Sequence, residues 1–443
     1  MTNIEKALIF KFKNDDTFKC YDIKDNDKVI IRLYYILGLV DNDKIKDLVL
    51  KQIEYYKITD KYLSVSSKSI YNVEKIVESI LDGDVVVFDY KNQIIKTIDV
   101  KKHYLRSIEE PDNEKVVKGP KEGFIENINT NINLLRTRIR TNDLKVNFIK
   151  EQNPKIALIY IENLVKDNIL EKIIEKIEKI SLNYNNINEI KETLKDKKFN
   201  LFNTVGDTSR VDVASFKLLE GKVLILLDGS PIVLYVPYLF SENFKTIDDY
   251  YLSYSFASLN RLLRFISFLI SIVLPGLYVA ILKFHQELLP VELTLSIAAS
   301  RKGVPLSTFF ECALLLTAFE ILREAGTKIS SLLGSSLSIV GGLVIGQATV
   351  EARMISTSVV IIVALSSITT LINSRMSGPI IIIRYCILFM GALIGMYGIL
   401  ICILFIISWL VKMKSFGYYY VDNILTFKID KYKKTYMRFP NEK

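Results

Sequence analysis

The chain has 443 residues, half of them hydrophobic and 24% charged, and its formal net charge is +9 at pH 7. Most of the excess charge lies late in the chain, since residues 412–443 hold eight cations against three carboxylates and residues 264–411 hold nine against six. The nearly neutral residues 1–263 argue against nucleic-acid binding, and four cysteines without a CxxC pattern, beside only two histidines, argue against a metal site or a disulfide framework.

Hydropathy divides the chain into a soluble region and a membrane region. Residues 1–18 contain no apolar run of signal-peptide length, so we expect the amino-terminal region to stay in the cytosol. The predicted fold is an α+β cytosolic region of two related subdomains, followed by an α-helical polytopic membrane domain. The predicted domains are a first subdomain with a loop and helix at 1–150, a second subdomain at 151–263, a transmembrane domain at 264–411 and a basic cytoplasmic tail at 412–443.

The soluble region contains an internal repeat. The segment LDGDVVVFDYKNQII at 81–95 aligns without gaps to LEGKVLILLDGSPIV at 219–233, which pairs Gly83 with Gly221. Each copy follows a helix-like run and then gives an apolar strand, a polar turn and a second strand. In the second copy the turn at 228–231, Asp-Gly-Ser-Pro, is a strong hairpin signal. Two related α+β subdomains are predicted, with two unrelated hairpins as the alternative.

A loop and helix follow the first copy, at 109–140. Glycine and proline punctuate the loop, and a helix is predicted to begin near Glu122. Its apolar positions at helical spacing are Phe124, Ile128, Ile132 and Leu135. The basic run after them consists of Arg136, Arg138 and Arg140. These arginines could meet lipid phosphates or acidic residues of a partner, but such a run is more often a solvated helix end, which is the interpretation we favour.

Between the two copies the pattern predicts a buried strand at 155–161, KIALIYI, and an amphipathic helix within 167–180. The soluble region has no GxxxxGK[ST], GxGxxG or GxSxG motif, and no pair of carboxylates has a context that supports catalysis. We therefore expect the protein not to be an enzyme and to need no cofactor.

The membrane region begins with a spanning helix at 265–284 that contains a predicted break at Pro275 and Gly276. The next segment, 288–300, is too short to span and is predicted to be interfacial or re-entrant. Further helices are predicted at 305–325, 332–350 and 355–373, and the run 380–411 is either one tilted helix or two shorter ones. Cytoplasmic location of both ends would require an even number of crossings, so we prefer two helices there and four to six crossings in all.

Small residues four apart form a stripe at Gly334, Ser338, Gly342 and Gly346, a pattern that lets helices approach closely. The stripe predicts either packing within one subunit or a seam between subunits of an oligomer. Gln347 and Glu351 continue an adjoining line and place polar groups towards one end.

The helix at 305–325 carries charges at Glu311, Glu320, Arg323 and Glu324. Ionisable groups in a membrane usually face a protein interior or water and mark functional sites. Glu320 lies on one face with Arg323 and Glu324, whereas Glu311 lies about 180° around the helix and needs a different partner or cavity. The three clustered charges could form a structural latch, line an ion path or bind a cationic or zwitterionic ligand. Glu311 has no cation on its own helix, so we expect it to face water.

Several long motifs resemble those of the A subunits of GerA-type spore germinant receptors and occur in the same order over roughly residues 80–420. They are RSIEEPDNEKVVKGPKEGFIENINTNINLLRTRIR, PYLFSENFKTIDDYYL, NRLLRFISFLISIVLPGLYVAILKFHQELLP, FEILREAG, SIVGGLVIGQATVEA and KSFGYYYV. The paralogous stage V sporulation protein AF is similar along the same motifs. Where the family commonly has proline, this chain has Ser330 and Asn373, so helix ends are expected to differ here.

The resemblance implies a multi-pass protein of the spore inner membrane that works with a transporter-like B subunit and a lipoprotein C subunit. It also implies that A subunits form a homo-oligomer, a ligand-gated ion channel that answers nutrients and triggers germination. The small-residue stripe would then be a subunit seam or pore lining, and the charged helix would take part in gating. The basic tail suits an anionic membrane surface. Two alternatives stay open, a secondary transporter and a membrane scaffold without its own pore.

Overall fold

The computed structural model describes residues 2–25, 28–47, 68–69, 72–100, 114, 119–149, 154–165, 167–178, 186–196, 200–328, 342 and 346–421. These residues fall into two compact units. The first comprises Met1–Lys198, Asn203–Tyr238 and Ser415–Tyr418, and the second comprises Phe199–Phe202, Leu239–Lys414 and Tyr419–Lys443. Most of the basic tail predicted at 412–443 lies outside the described residues.

The first unit contains two five-stranded antiparallel sheets. The strands are β1 (Phe18–Asp25), β2 (Lys28–Ile36), β3 (Lys68–Ser69), β4 (Asp84–Asp89), β5 (Ile94–Asp99), β6 (Leu144–Phe148), β7 (Ile156–Ile161), β8 (Gly206–Thr208), β9 (Val223–Leu227) and β10 (Val233–Val236). The helices are α1 (Thr2–Lys11), α2 (Asn42–Ile45), α3 (Val73–Leu81), α4 (Ile128–Arg138), α5 (Asp167–Glu178), α6 (Ile187–Leu194) and α7 (Val211–Leu219).

The two sheets have the same strand order, β1-β2-β4-β5-β3 in the first and β6-β7-β9-β10-β8 in the second. The predicted repeat corresponds to α3-β4-β5 in one sheet and α7-β9-β10 in the other, so the topology agrees with the predicted duplication. In both copies a glycine with positive φ links helix to strand, Gly83 at 92° and Gly221 at 78°. The strand at 155–161 and the helix within 167–180 are confirmed as β7 and α5.

The helix predicted to begin near Glu122 begins six residues later, at Ile128. Asn127 caps it by accepting a hydrogen bond from the Thr130 amide. The preceding residues are extended instead, because Gly123 forms a β-bridge with Arg210 and the Phe124 amide donates to Ser209. Tertiary pairing therefore overrides the helical spacing at Phe124.

The segment between α1 and β1 joins the two sheets of this unit. The Asp16 amide donates to the Val146 carbonyl on the edge strand β6, and the Phe148 amide donates to the Asp16 carboxylate. Arg136 of α4 donates from Nη2 to Asp15 Oδ2 and Thr17 Oγ1, each at 2.6 Å. Arg136 is 2% exposed, so the solvated helix end predicted for the basic run is wrong at this position.

Glu5 of α1 fixes that helix on the first sheet. Its Oε1 accepts hydrogen bonds from Arg32 Nη1 at 2.8 Å, from the Tyr34 hydroxyl at 2.7 Å and from the Tyr90 hydroxyl at 2.6 Å. Burial acts to raise the pKa of Glu5, but the hydrogen bonds from Tyr90, Tyr34 and Arg32 outweigh it and lower the pKa. Burial first, and then the hydrogen bond to Glu5, raise the pKa of both tyrosines.

The second unit is mainly helical. Its helices are α8 (Asp248–Tyr251), α9 (Tyr254–Phe284), α10 (Val291–Ser300), α11 (Thr308–Lys328), α12 (Thr357–Ile372), α13 (Ser377–Ile394) and α14 (Met396–Lys412), with 3₁₀ turns at Phe240–Phe244, Gln286–Leu288 and Ser374–Met376. Strands β11 (Lys414–Ser415) and β12 (Tyr418–Tyr419) follow α14. Among the described residues, two stretches could cross a membrane by length and composition, Tyr254–Phe284 and Ser374–Ile394.

Close packing in this unit depends on glycine. Helix α9 runs unbroken through Pro275, so the predicted helix break at Pro275 and Gly276 is wrong. Gly276 is instead a contact point, because a Cβ there would lie 2.8 Å from the Ile387 carbonyl of α13. The predicted choice for 380–411 resolves into two helices, α13 and α14, which pack together and are separated by Gly395 at a φ of 71°.

Candidate functional site

The charged helix α11 is tied to α13 by a buried ion pair. Glu320 Oε1 accepts from Arg384 Nη2 at 2.6 Å, and Glu320 Oε2 accepts from Arg323 Nε at 2.7 Å. Arg384 is fully buried, whereas the Glu320 and Arg323 side chains are 18% and 31% exposed. One carboxylate is thus shared between a cation in its own helix and a cation in the neighbouring helix.

Arg384 was not among the predicted site residues, although its position inside the apolar run 380–411 is the signal that could have identified it. Its Nη1 donates weakly to the Ser366 and Thr370 hydroxyls of α12 at 3.4 and 3.3 Å. Ser366 in turn donates to the Ser271 carbonyl of α9. The guanidinium therefore lies where α9, α11, α12 and α13 meet. Its charge is balanced by Glu320 of the same chain.

Glu311 lies elsewhere on α11 and is fully buried, so the prediction that it faces water is wrong. Its Oε2 accepts from the amide and the hydroxyl of Ser356 at 2.8 and 2.7 Å. Ser356 is the N-cap residue of α12, so the carboxylate occupies the positive end of that helix. Arg301, after α10, provides a cation 3.5 Å from Glu311 Oε1. Glu311 thus joins α11, α12 and the chain after α10.

The carboxyl-terminal end of α11 is more exposed. Glu324 pairs with Lys328 at 3.2 Å on the surface of the helix. A depression of about 550 Å³, which we call the α11 groove, opens beside Glu320, Arg323, Glu324 and Lys328. The rest of its wall is mostly apolar and includes Ile321, Ala325 and Ile381. Of the predicted charged residues, Glu320, Arg323 and Glu324 line this groove and Glu311 does not.

The small-residue stripe is described only in part, because Gly334 and Ser338 lie outside the described residues. Gly342 lies against Phe319, 3.3 Å from where a Cβ would stand, and the buried Gly346 faces Val360 at 3.7 Å. Gln347 and Glu351 are exposed, and the Gln347 amide donates to Glu351 at 2.9 Å. Contacts of the described stripe glycines are therefore within the subunit, and the polar pair faces outwards.

A second buried ionic cluster that the sequence prediction missed lies at the start of α9. Asp249 is fully buried and accepts from Arg261 Nε at 3.0 Å and from Arg264 Nη2 at 3.0 Å. The Arg264 carbonyl accepts from the Asn373 amide group at the end of α12. The charged residues in the motifs around 249 and 261–264 are the signal that could have identified this cluster.

The buried ionic groups described above form charge-balanced pairs within the helical unit. Each buried carboxylate discussed above has a basic partner within the subunit, and within the ranges that the structure describes no three His, Cys, Asp or Glu side chains come together as metal ligands. Of the predicted site residues that the structure describes, those accessible to a ligand or to another molecule are the ones that line the α11 groove and the pair Gln347 and Glu351.

Comparison with known proteins gives consistent matches over nearly the whole chain. The family model described as Bacillus/Clostridium GerA spore germination protein matches residues 5–443. Spore germination protein KA of Bacillus subtilis (strain 168) is 34% identical over 437 residues, covering 94% of this chain and 80% of that protein. Spore germination protein B1 of the same organism is 33% identical over 428 residues, covering 92% and 88%.

Among solved structures, a match is the N-terminal domain of the A subunit of the Bacillus megaterium spore germinant receptor GerK3. It is 22% identical, covers 53% of this chain and 94% of that chain, and superposes with a TM-score of 0.39.

Proposed function

The chain belongs to the GerA family of spore germination proteins, and from that premise we propose that it is the A-type membrane subunit of a spore germinant receptor. The observation that carries the proposal is the match of the family model to residues 5–443, which includes both the α+β unit and the helical unit. Several spore germination proteins at 30–34% identity match over at least 90% of this chain.

We further propose that several copies form a ligand-gated ion channel. Support comes from the distribution of polar groups, because the buried charges of one subunit are already balanced by internal partners. An ion path would therefore have to use the exposed polar groups, and Gln347 and Glu351 are the candidates at the end of the small-residue stripe. A carboxylate at such a place favours cations.

The proposed location is the spore inner membrane, with the α+β unit and the basic tail in the cytosol. The two long apolar helices support membrane insertion, and α12 and α14 add shorter apolar helices. The proposed number of crossings is four to six and even. The proposed partners are the B and C subunits of the receptor, with nutrient recognition mainly in the B subunit. We propose no catalytic activity.

A second candidate is a scaffold of the germination machinery without its own pore. The observation in its favour is the complete internal pairing of Glu320 with Arg384 and Arg323, which is what a purely structural latch requires. A secondary transporter is less well supported, because the repeated strand order lies in the α+β unit, whereas transporters of this class carry their repeats in the membrane helices.

The test is cation flux in liposomes that contain this chain together with the B and C subunits and a germinant. We expect germinant-dependent flux in the wild type and altered flux in Glu351→Gln, with Glu292→Gln on α10 as the matched control for an exposed carboxylate on another helix. Absence of flux from a folded, assembled complex would contradict the channel and favour the scaffold. Loss of germination in spores that lack this chain tests the receptor role itself.

A further inference from the structure

The ionic cluster beside the α11 groove holds one cation in excess. Arg323, Lys328, Glu320 and Glu324 line the groove in equal numbers of each sign, but Glu320 is shared with Arg384, which is buried behind it and does not line the groove. The sequence from 329 to 350 contains no charged residue, so the chain that follows α11 brings no third carboxylate. A monoanion bound in the groove would neutralise this cluster, and the mostly apolar wall makes that neutralisation more favourable than it is in water.

Arg323 has the geometry to hold such an anion. Its Nε is engaged by Glu320, whereas among the described residues neither terminal nitrogen makes a hydrogen bond. The side chain is 31% exposed, so its planar fork can reach a ligand in the groove. Two parallel N–H groups suit the two free oxygens of a phosphodiester, which Arg binds in a bidentate manner.

The rest of the groove suits an acyl chain. Ile321 is 64% exposed, and Ala325 and Ile381 extend the apolar wall beside it. Lys328 is 74% exposed at the end of α11, as expected where a long basic side chain reaches the aqueous boundary. A charged end and an apolar wall in one groove match the two parts of a phospholipid.

The same contacts disfavour a zwitterionic nutrient. A zwitterion needs a carboxylate for its ammonium group, and Glu320 already accepts from Arg384 and Arg323 while Glu324 pairs with Lys328. The less exposed carboxylate, Glu320, is thus fully engaged, and Glu324 is 60% exposed to water.

We infer that the α11 groove binds an anionic phospholipid, with the phosphodiester on Arg323 and an acyl chain along Ile321, Ala325 and Ile381. The inference goes beyond the receptor role and rests only on the membrane location proposed above. Its test needs neither the other subunits nor a germinant, so it can fail while the receptor role stands.

The experiment uses the purified full chain with a tryptophan reporter in the groove. The chain has one tryptophan, Trp409, so Trp409→Phe combined with Ile321→Trp leaves a single fluorophore beside the apolar wall. Brominated phosphatidylglycerol and brominated phosphatidylcholine of equal chain length are then compared as quenchers in mixed membranes. We expect phosphatidylglycerol to give half-maximal quenching at a mole fraction lower by about fivefold.

Arg323→Gln should remove most of this preference, whereas Lys412→Gln, which removes an exposed cation at the end of α14, should retain it. Arg323→Lys keeps the charge and the bond to Glu320 but loses the fork, and it should reduce the preference if Arg323→Gln fails to fold. Equal quenching by the two lipids, or an unchanged preference in both Arg323 variants, would overturn the inference. Displacement of the lipid by free inorganic phosphate, or by an amino acid, would assign the groove to a soluble ligand instead and would also overturn it.

Discussion

Arg384 and Glu320 are 64 residues apart in the sequence and form a hydrogen-bonded ion pair of 2.6 Å between α13 and α11. The guanidinium is fully buried and contacts hydroxyls of α12, so the pair fixes the position of α11 against two other helices. The charges of α11 are unusual in an apolar bundle. Arg384, a partner distant in the sequence, compensates the charge of Glu320 there.

Removing one member of this pair should destabilise the helical unit strongly. Arg384→Gln leaves the Glu320 carboxylate without its buried partner, and we expect a loss of about 3–5 kcal/mol in the free energy of unfolding. The double variant Glu320→Gln with Arg384→Gln should lose less than the sum of the two single variants, because no uncompensated charge stays buried. Chemical denaturation in detergent measures both. Strict additivity would contradict a direct coupling.

Glu311 should matter for stability although it lies in no groove. Glu311→Gln keeps an acceptor for Ser356 but removes the charge that faces Arg301 and the N-terminus of α12, so we expect a loss of about 1–3 kcal/mol. The matched control is Glu324→Gln on the exposed face of the same helix, where the pair with Lys328 contributes no more than about 0.5 kcal/mol. Thermal unfolding of the purified protein distinguishes the two. Equal effects would refute the buried capping role of Glu311.

Gly276 should not tolerate a side chain. In Gly276→Ala the new methyl group would lie 2.8 Å from the Ile387 carbonyl, which forces α9 and α13 apart, and we expect a cost of about 1–3 kcal/mol. Gly378→Ala is the control within α13, because apart from its chain neighbours no group lies within 4 Å of the place that its Cβ would take. It should cost clearly less than Gly276→Ala, with the cost limited to the contact of a Cβ with the following Pro379. Unfolding midpoints of the two variants in detergent provide the comparison, and a neutral Gly276→Ala would contradict the close helix contact.

The first sheet should lose stability in acid through Glu5. The pKa of Glu5 is lowered below its ordinary value of 4.5, so its carboxylate stabilises the folded state fully above that value. This contribution is lost as the pH falls through the folded-state pKa, because the protonated group no longer accepts three hydrogen bonds as an anion. Hydrogen-exchange protection factors of β2 and β4 should therefore fall below pH 4.5 in the wild type. Glu5→Gln should flatten that dependence, whereas Glu74→Gln on the exposed face of α3 should leave it intact.

Local patterns predicted much of the α+β unit because its determinants are close in the sequence. In the two similar segments, Gly83 and Gly221 provide the positive φ that the turn from helix to strand needs, and an apolar strand follows each glycine. Both features are recognisable in the sequence without knowledge of the fold. The start of α4 was missed because it depends on Gly123 pairing with Arg210, a contact between distant segments.

The sequence indicated the candidate site only through the presence of charged residues in an otherwise apolar region. The charges of α11 indicated that some partner was needed, and their spacing correctly separated Glu311 from Glu320. The partners themselves, Ser356 and Arg384, come from helices 45 and 64 residues away, and helix packing alone brings them there. Spacing within one helix contains no information about such contacts, so Glu311 was wrongly expected to face water.

The hydrogen bonds of Asp16 with β6 cover an edge of the second sheet. In open repeat arrays each unit offers a free edge on which the next unit builds. Here the turn that leaves α1 occupies the outer edge of β6, donating to Val146 and accepting from Phe148. A third copy of the sheet could not extend that edge without displacing the amino-terminal segment. An edge that would otherwise be open to pairing with a strand of another molecule is therefore covered by the segment that leaves α1.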